Sequence, residues 1–272
     1  MLKDKKLFLF DIDGTLALDM NLIDGTRDLI AYIENIGGKP IFITNNSTKS
    51  LQAYVEKFEK WDYHYDLSHF ITASYATIVY LRNHYPKEKI FVLGTKSLVK
   101  ELRDYGFDVT EDPKAGAAVA LVGYDNELTY EKVWNLSELL FTHPETVYLA
   151  TNPDLNCPSV FGCVPDCGAI CRMLECAVGR MPEFIGKPNP AMVEMSLEQT
   201  GFSKEETLVV GDRLYTDIAC GINGGVDTAV VFTGDAKPED LENTEFPPTY
   251  AFPSVRELYE AILKEKGSAE KS

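Results

Sequence analysis

Positive charge is scarce in this chain. Its 272 residues carry 26 Lys and Arg against 42 Asp and Glu, a formal net charge of −16. That balance argues against nucleic acid or an anionic membrane as the main partner. It also means that an anionic ligand needs a cation or a few focused positive groups to overcome the general field. Long apolar runs are missing too. No stretch approaches the roughly 18–20 residues of a membrane span, so no membrane partner is expected. The start, Met1-Leu2-Lys3-Asp4-Lys5-Lys6, leads straight into an apolar segment without a small-residue cleavage site. A cytoplasmic location is the expectation. Histidine is rare, and His64, His69, His84 and His143 all lie outside the motifs described below. They read as structural or surface residues.

Paired cysteine motifs are absent. Of 6 cysteines, Cys157, Cys163, Cys167, Cys171 and Cys176 crowd together. No two have C-x-x-C spacing and no histidine joins them, so reduced thiols packed as small apolar groups are expected rather than a metal site. Cys167 and Cys171 have the spacing of neighbours on a helix. What remains is ordinary: 45% hydrophobic and 25% charged residues, as in a globular protein of one large or two modest domains.

Strand-like and helix-like segments alternate. The apolar run Leu7–Phe10 is followed by a helical pattern over residues 25–36, with Leu29, Ile30, Ile33 and Ile36 on one face. A strand over 40–44 and helices over 50–60 and 74–84 come next. This β-α-β-α rhythm predicts an α/β fold with a parallel sheet covered by helices. The polar segment 86–89 interrupts it. Strands at 90–93, 117–122 and 147–150, with helices at 97–105 and 130–141, then form a self-contained middle section. From about residue 182 the first rhythm resumes. Asn189, Pro190 and Gly201 bracket a helix. Ser203 with Glu206, and Ser254 with Glu257, fit capping boxes. A strand over 207–210, a helix over 215–223, a strand over 228–232 and a helix over 255–263 follow, and 264–272 reads as a frayed polar end. The expected division is 1–84 with 181–272 as one discontinuous domain, and 85–180 as an inserted one.

The first strand delivers Asp11-Ile12-Asp13-Gly14-Thr15. Two carboxylates spaced two apart project to one side of an extended chain, or fold together at the glycine. They can hold a hard cation and leave an oxygen free to attack, or simply form an Asx-type turn. Other strand ends carry Thr44-Asn45-Asn46-Ser47, Gly186-Lys187-Pro188 and Gly211-Asp212-Arg213-Leu214-Tyr215-Thr216-Asp217. In a parallel α/β sheet the carboxyl ends of the strands open into one crevice. Three or four carboxylates, one lysine, hydroxyls and amides can therefore converge on one site. Such a set suits phosphoryl transfer to a carboxylate, because a cation relieves repulsion between the two anions and Lys187 adds fixed positive charge.

Those four segments, in that order and with a long insert between the second and third, resemble the haloacid dehalogenase-like (HAD) superfamily. Thr44-Asn45-Asn46-Ser47, Ala150-Thr151-Asn152-Pro153-Asp154 and Gly211-Asp212-Arg213 are most similar to its subclass IIA, the NagD-like and 4-nitrophenyl phosphatase type. The resemblance spans about residues 5–265. It implies a Rossmann-like (HAD-like) parallel-sheet core with an inserted α/β cap of C2 type. It implies Asp11 as nucleophile and Asp13 as general acid and base. It implies Mg2+ held by Asp11, the Asp13 carbonyl and Asp212, with Asp217 supporting the metal from behind. Thr44 and Lys187, with Asn45 and Asn46 beside them, hold the phosphoryl group. Asn152 and Asp154 in the cap loop face the substrate. The implied activity is Mg2+-dependent hydrolysis of small phosphate monoesters, such as sugar phosphates or nucleotides, through an aspartyl-phosphate. A homodimer through the cap is implied as well. A phosphotransferase or mutase, or a low-turnover phosphometabolite sensor, are the alternatives. Arg213 is expected to support the metal loop through an ion pair. Pro165-Asp166-Cys167-Gly168-Ala169 is bulkier and more acidic than the glycine-rich stretch of similar proteins, which weakens transfer of substrate preference.

Overall fold

The computed structural model describes residues 1–159 and 161–269, which fall into two compact units. The first comprises Met1–Thr44, Phe58–Ile71 and the chain from Lys187 onward. Its sheet has the order Tyr250–Phe252, Asp227–Val231, Thr207–Gly211, Leu7–Phe10, Lys39–Thr44, Phe70–Thr72. Leu7–Phe10 is parallel to both neighbours, with Leu7 opposite Thr207 and Lys39. All four of its residues are buried, as a continuous apolar run in a central parallel strand must be. The helices Thr26–Asn35 and Val255–Ala269 pack together, and Arg256 ties them through Asp24 and Asp28.

The second unit comprises residues 45–57 and 72–186. Its five-stranded parallel sheet runs Glu183–Phe184, Val147–Ala150, Val119–Val122, Ile90–Leu93, Val109–Thr110. The helices Tyr130–Thr142 and Cys167–Val178 cover it, and Leu136, Leu139, Cys167, Cys171 and Leu174 join Phe91, Leu93 and Val122 in one core. Cys167 and Cys171 thus lie buried on one helix face, where the Cys167 thiol also donates to the Val122 carbonyl at 3.6 Å. All 6 cysteines are free thiols.

The boundary near residue 84 moves to Thr72. The helix Ala73–His84 belongs to the second unit, because Ser74 donates to Glu101 and the Tyr80 hydroxyl donates to Glu183 at 3.2 Å. The boundary near residue 180 moves to Gly186, because Glu183–Phe184 extends the second sheet. Alternation counts elements, but which sheet a helix covers depends on long-range contacts.

Local signals otherwise stand close to the observed elements. The helix Ala191–Thr200 begins where Asn189 accepts from the Ala191 N–H at 3.0 Å, and ends at Gly201. Ser203 and Glu206 form the reciprocal capping pair, although a strand rather than a helix follows. The last helix runs to Ala269, so the expected frayed end is helical as far as it is described, and 270–272 lie outside the described residues. Short strands at Ala17–Leu18 with Asn21–Leu22, and at Asn156–Ser159 with Gly162–Pro165, pair into hairpins that the sequence reading did not foresee. Among the described residues no helix is long and apolar enough to cross a membrane.

Candidate active site

In the first unit, Leu7–Phe10 ends at Asp11, and the neighbouring Thr207–Gly211 ends at Asp212. Parallel pairing in register places the two carboxylates at the same edge of the sheet. After Asp212 the chain makes a turn of π-helix, Leu214–Ile218, which turns Asp217 inward. One carboxylate oxygen from each of Asp11, Asp212 and Asp217 lies within 4.8 Å of the others, and all three residues are buried.

Lys187 enters this cluster. Its Nζ donates to Asp11 Oδ1 at 2.6 Å, to Asp217 Oδ1 at 2.5 Å and to the Ile43 carbonyl at 3.4 Å. It is 2% exposed, which disposes of a surface lysine. The Ile43 contact brings the end of Lys39–Thr44, and so Thr44, to the same group; Thr44 is itself buried. Asp13 sits in the turn beyond Asp11, where the Gly14 N–H donates to the Ala17 carbonyl at 2.9 Å.

The charges do not balance. Burial, with Asp217 and Asp212 nearby, drives the Asp11 carboxyl well above the usual range, against the pull of Lys187. Burial and the Asp217 charge push Asp212 up to about 6, although the Asp235 N–H, Arg213 and Lys187 oppose this. Burial would lower Lys187, but Asp11 and Asp217 overcome it and hold the ammonium protonated. Three buried carboxylates against one ammonium make an oxygen-only donor set short of positive charge. That set fits a hard divalent cation such as Mg2+, which takes few protein oxygens and keeps water.

Asn45, Asn46, Asn152 and Asp154 belong to the second unit. Asp154 Oδ2 accepts from Asn45 Nδ2 at 2.7 Å and from Asn152 Nδ2 at 3.0 Å, and Asn152 also donates to Asp166 Oδ1 at 3.0 Å. Asn152 and Asp154 are buried, their polar groups turned onto neighbours. The loop expected to face the substrate carries an internal amide–carboxylate network. Buried amides and carboxylates satisfy one another there, as burial requires. Asn46 instead closes a local turn, accepting from the Thr48 N–H at 2.9 Å.

The sequence reading missed the segment after Asp227–Val231. Asp235 N–H donates to Asp212 Oδ2 at 2.8 Å, and the Thr233 hydroxyl donates to the Gly14 carbonyl at 2.5 Å. Thr15 donates to Asp212 Oδ1 at 3.3 Å. The available signal was Thr233-Gly234-Asp235 itself, a polar turn at the end of another parallel strand. For Arg213, the main-chain N–H supports the loop by donating to Asp217 Oδ2 at 3.0 Å.

Comparison with known proteins follows this geometry. A family model described as haloacid dehalogenase-like hydrolase matches residues 8–108, and a HAD-hydrolase-like model matches 184–258. An acid sugar phosphatase of Staphylococcus aureus is 35% identical over 264 residues, covering 97% of this chain and 99% of the relative. The structure of a 4-nitrophenylphosphatase from Thermotoga maritima superposes with a TM-score of 0.89 at 36% identity, covering 96% of this chain and 98% of that one. NagD from E. coli K-12 has a TM-score of 0.82 at 29% identity, covering 93% and 98%. The chain belongs to the haloacid dehalogenase-like hydrolases, in their NagD-like subclass IIA. It is accordingly an enzyme of the phosphoric monoester hydrolase class.

Proposed function

We propose that this chain is a Mg2+-dependent phosphatase that hydrolyses small phosphate monoesters through an aspartyl-phosphate. The observation that carries the reading is the buried arrangement of Asp11, Asp212 and Asp217 around Lys187, with Lys187 Nζ 2.6 Å from Asp11 Oδ1. Asp11, Asp212 and the Asp13 carbonyl hold the metal, with Asp217 behind them. When bound, Mg2+ offsets the repulsion between the phosphate dianion and the attacking carboxylate.

Asp11 attacks phosphorus, and the bond from phosphorus to the alcohol oxygen breaks. Asp13 gives its proton to that oxygen. Water then attacks the phosphorus of the aspartyl-phosphate while Asp13 takes the water's proton. Inorganic phosphate leaves and Asp11 is restored. Lys187 holds a phosphoryl oxygen, and its charge opposes the rise that burial imposes on the Asp11 carboxyl. Thr44 supplies a hydroxyl donor to another oxygen.

The substrate is a small phosphorylated metabolite. The name of the Staphylococcus aureus relative favours a sugar phosphate over a nucleotide. The second unit acts as the cap that selects among substrates, and is the surface through which two copies pair. In support of pairing, Tyr130, Trp134 and Phe141 are exposed at helical spacing along Tyr130–Thr142. Free thiols throughout and the absence of a membrane-crossing helix among the described residues support a cytoplasmic location.

The test is phosphate release across a panel of sugar phosphates, nucleotides and 4-nitrophenyl phosphate. EDTA should abolish it, Mg2+ restore it, and Ca2+ inhibit through its larger, looser coordination. Full activity in metal-stripped protein overturns the mechanism. Phosphate transfer to an added alcohol in preference to water makes the protein a phosphotransferase, and saturable binding without turnover makes it a sensor.

A further inference from the structure

We propose that Thr233, acting with Gly234 and the Asp235 N–H, is a positioning residue that sets the affinity of the metal site. This rests on the Mg2+-dependent reading above. The segment grips two parts of the site that lie far apart in sequence. From one end, the Thr233 hydroxyl donates to the Gly14 carbonyl at 2.5 Å. From the other, the Asp235 N–H holds Asp212 Oδ2 at 2.8 Å, and the Ala236 N–H holds the Asp212 main-chain carbonyl at 2.9 Å. Asp212 is therefore held at both its side chain and its backbone.

Close packing fixes the third dimension. Gly14, at φ +99°, lies against the Asp212 carboxylate, where an added Cβ would come within 2.6 Å of Oδ2. A Cβ on Gly234 would overlap the same carboxylate from its own position. The Asp212 carboxylate thus sits against two glycines, and Thr233 fixes the first of them. A shift of Gly14 would move both the peptide adjoining Asp13 and the surface on which Asp212 rests.

The chemistry makes that matter. Mg2+ demands near-ideal octahedral geometry at short oxygen distances, so small displacements of a ligand cost affinity. Groups that orient metal ligands typically change affinity about 10–100-fold when removed. The thermodynamic effect of Thr233 should therefore appear in metal binding, even though its hydroxyl touches no reacting atom. Thr233 is also placed at the exit of Asp227–Val231, the same exit that brings the Asp235 N–H to the Asp212 carboxylate.

The experiment is direct binding of Mn2+, and of Mg2+ by competition, followed by electron paramagnetic resonance of free Mn2+ without substrate. The proteins are wild type, Thr233→Val, Thr233→Ala and Thr233→Ser. Circular dichroism of the metal-free proteins reports folding. Val and Ala, which lack the hydroxyl, should weaken Mn2+ and Mg2+ binding by about 10-fold or more. Ser, which keeps it, should stay within about twofold of wild type. In assays the concentration of Mg2+ giving half-maximal activity should rise in the same proportion. Unchanged metal affinity in folded Val or Ala variants overturns the proposal, as does a Ser variant as weak as Val. If Val and Ala unfold the metal-free protein while Ser does not, the contact is one of folding and the positioning role is overturned. Wild-type protein that binds neither ion overturns the metal reading itself.

Discussion

Lys187 Nζ lies 2.5 Å from Asp217 Oδ1, and the two side chains are 2% and 1% exposed. An ion pair so far from water is held by its surroundings. The same ammonium reaches Asp11, so it is a shared counter-charge for two carboxylates. The cluster is organised around this one lysine, so altering it bears on stability as well as on the proposed chemistry.

Replacement of Lys187 by Met should therefore destabilise the metal-free protein by about 3–5 kcal/mol, because it leaves buried carboxylates without their cation. Mg2+ should recover part of that loss. Urea unfolding in EDTA and in Mg2+ measures both. Equal stability of variant and wild type in EDTA would show that the cluster does not rely on the ammonium. Phosphate release should fall with the variant even when Mg2+ restores its fold.

Asp11→Asn preserves shape and removes the attacking charge. Turnover should fall by at least about 10³-fold with the fold intact, since covalent catalysis has no substitute group at this position. Near-normal phosphate release from the folded, purified variant would take Asp11 out of the nucleophile role.

The Asp154 carboxylate accepts from two buried amides, Asn45 and Asn152. Asp154→Ala leaves both donors without that acceptor, at a cost of about 2–4 kcal/mol in unfolding free energy. Denaturant titration reads this. If stability is unchanged and relative kcat/KM shifts among substrates instead, with 4-nitrophenyl phosphate least affected, the carboxylate contacts the leaving group and its role is selectivity.

Glu101 provides a pH test away from the metal cluster. Burial raises its carboxyl above the usual range, although Ser74 and the Leu51 N–H donate to it and pull the other way. A carboxyl raised on folding contributes stability that is complete below its unfolded pKa and is lost as pH climbs through the folded value. Glu101→Gln stays neutral throughout. The melting midpoint of the Gln variant minus that of wild type should thus rise between pH 4 and pH 7. A difference that is flat or falls over that window would mean the glutamate ionises without penalty.

Much of this protein was legible in its sequence. Apolar runs alternating with helical periodicity name an α/β fold, and Asp11, Lys187, Asp212 and Asp217, singled out by residue type at strand ends, do stand together in the structure. Those signals are local, and local signals survive in one dimension. The domain limits were not legible, because the helix Ala73–His84 joins the second unit through Glu101 and Glu183, which lie farther along the chain. Nor was the inward turn of Asn152 and Asp154, since a polar loop sequence does not say whether its partners are water or Asn45. Thr233 shows the limit most clearly. Thr233-Gly234-Asp235 reads as a polar turn at a strand end, which does not say that the threonine holds a glycine 219 positions away. Residue identity determined what chemistry was available; the tertiary structure alone decided which distant groups stand within hydrogen-bond reach, because that depends on sheet order and register.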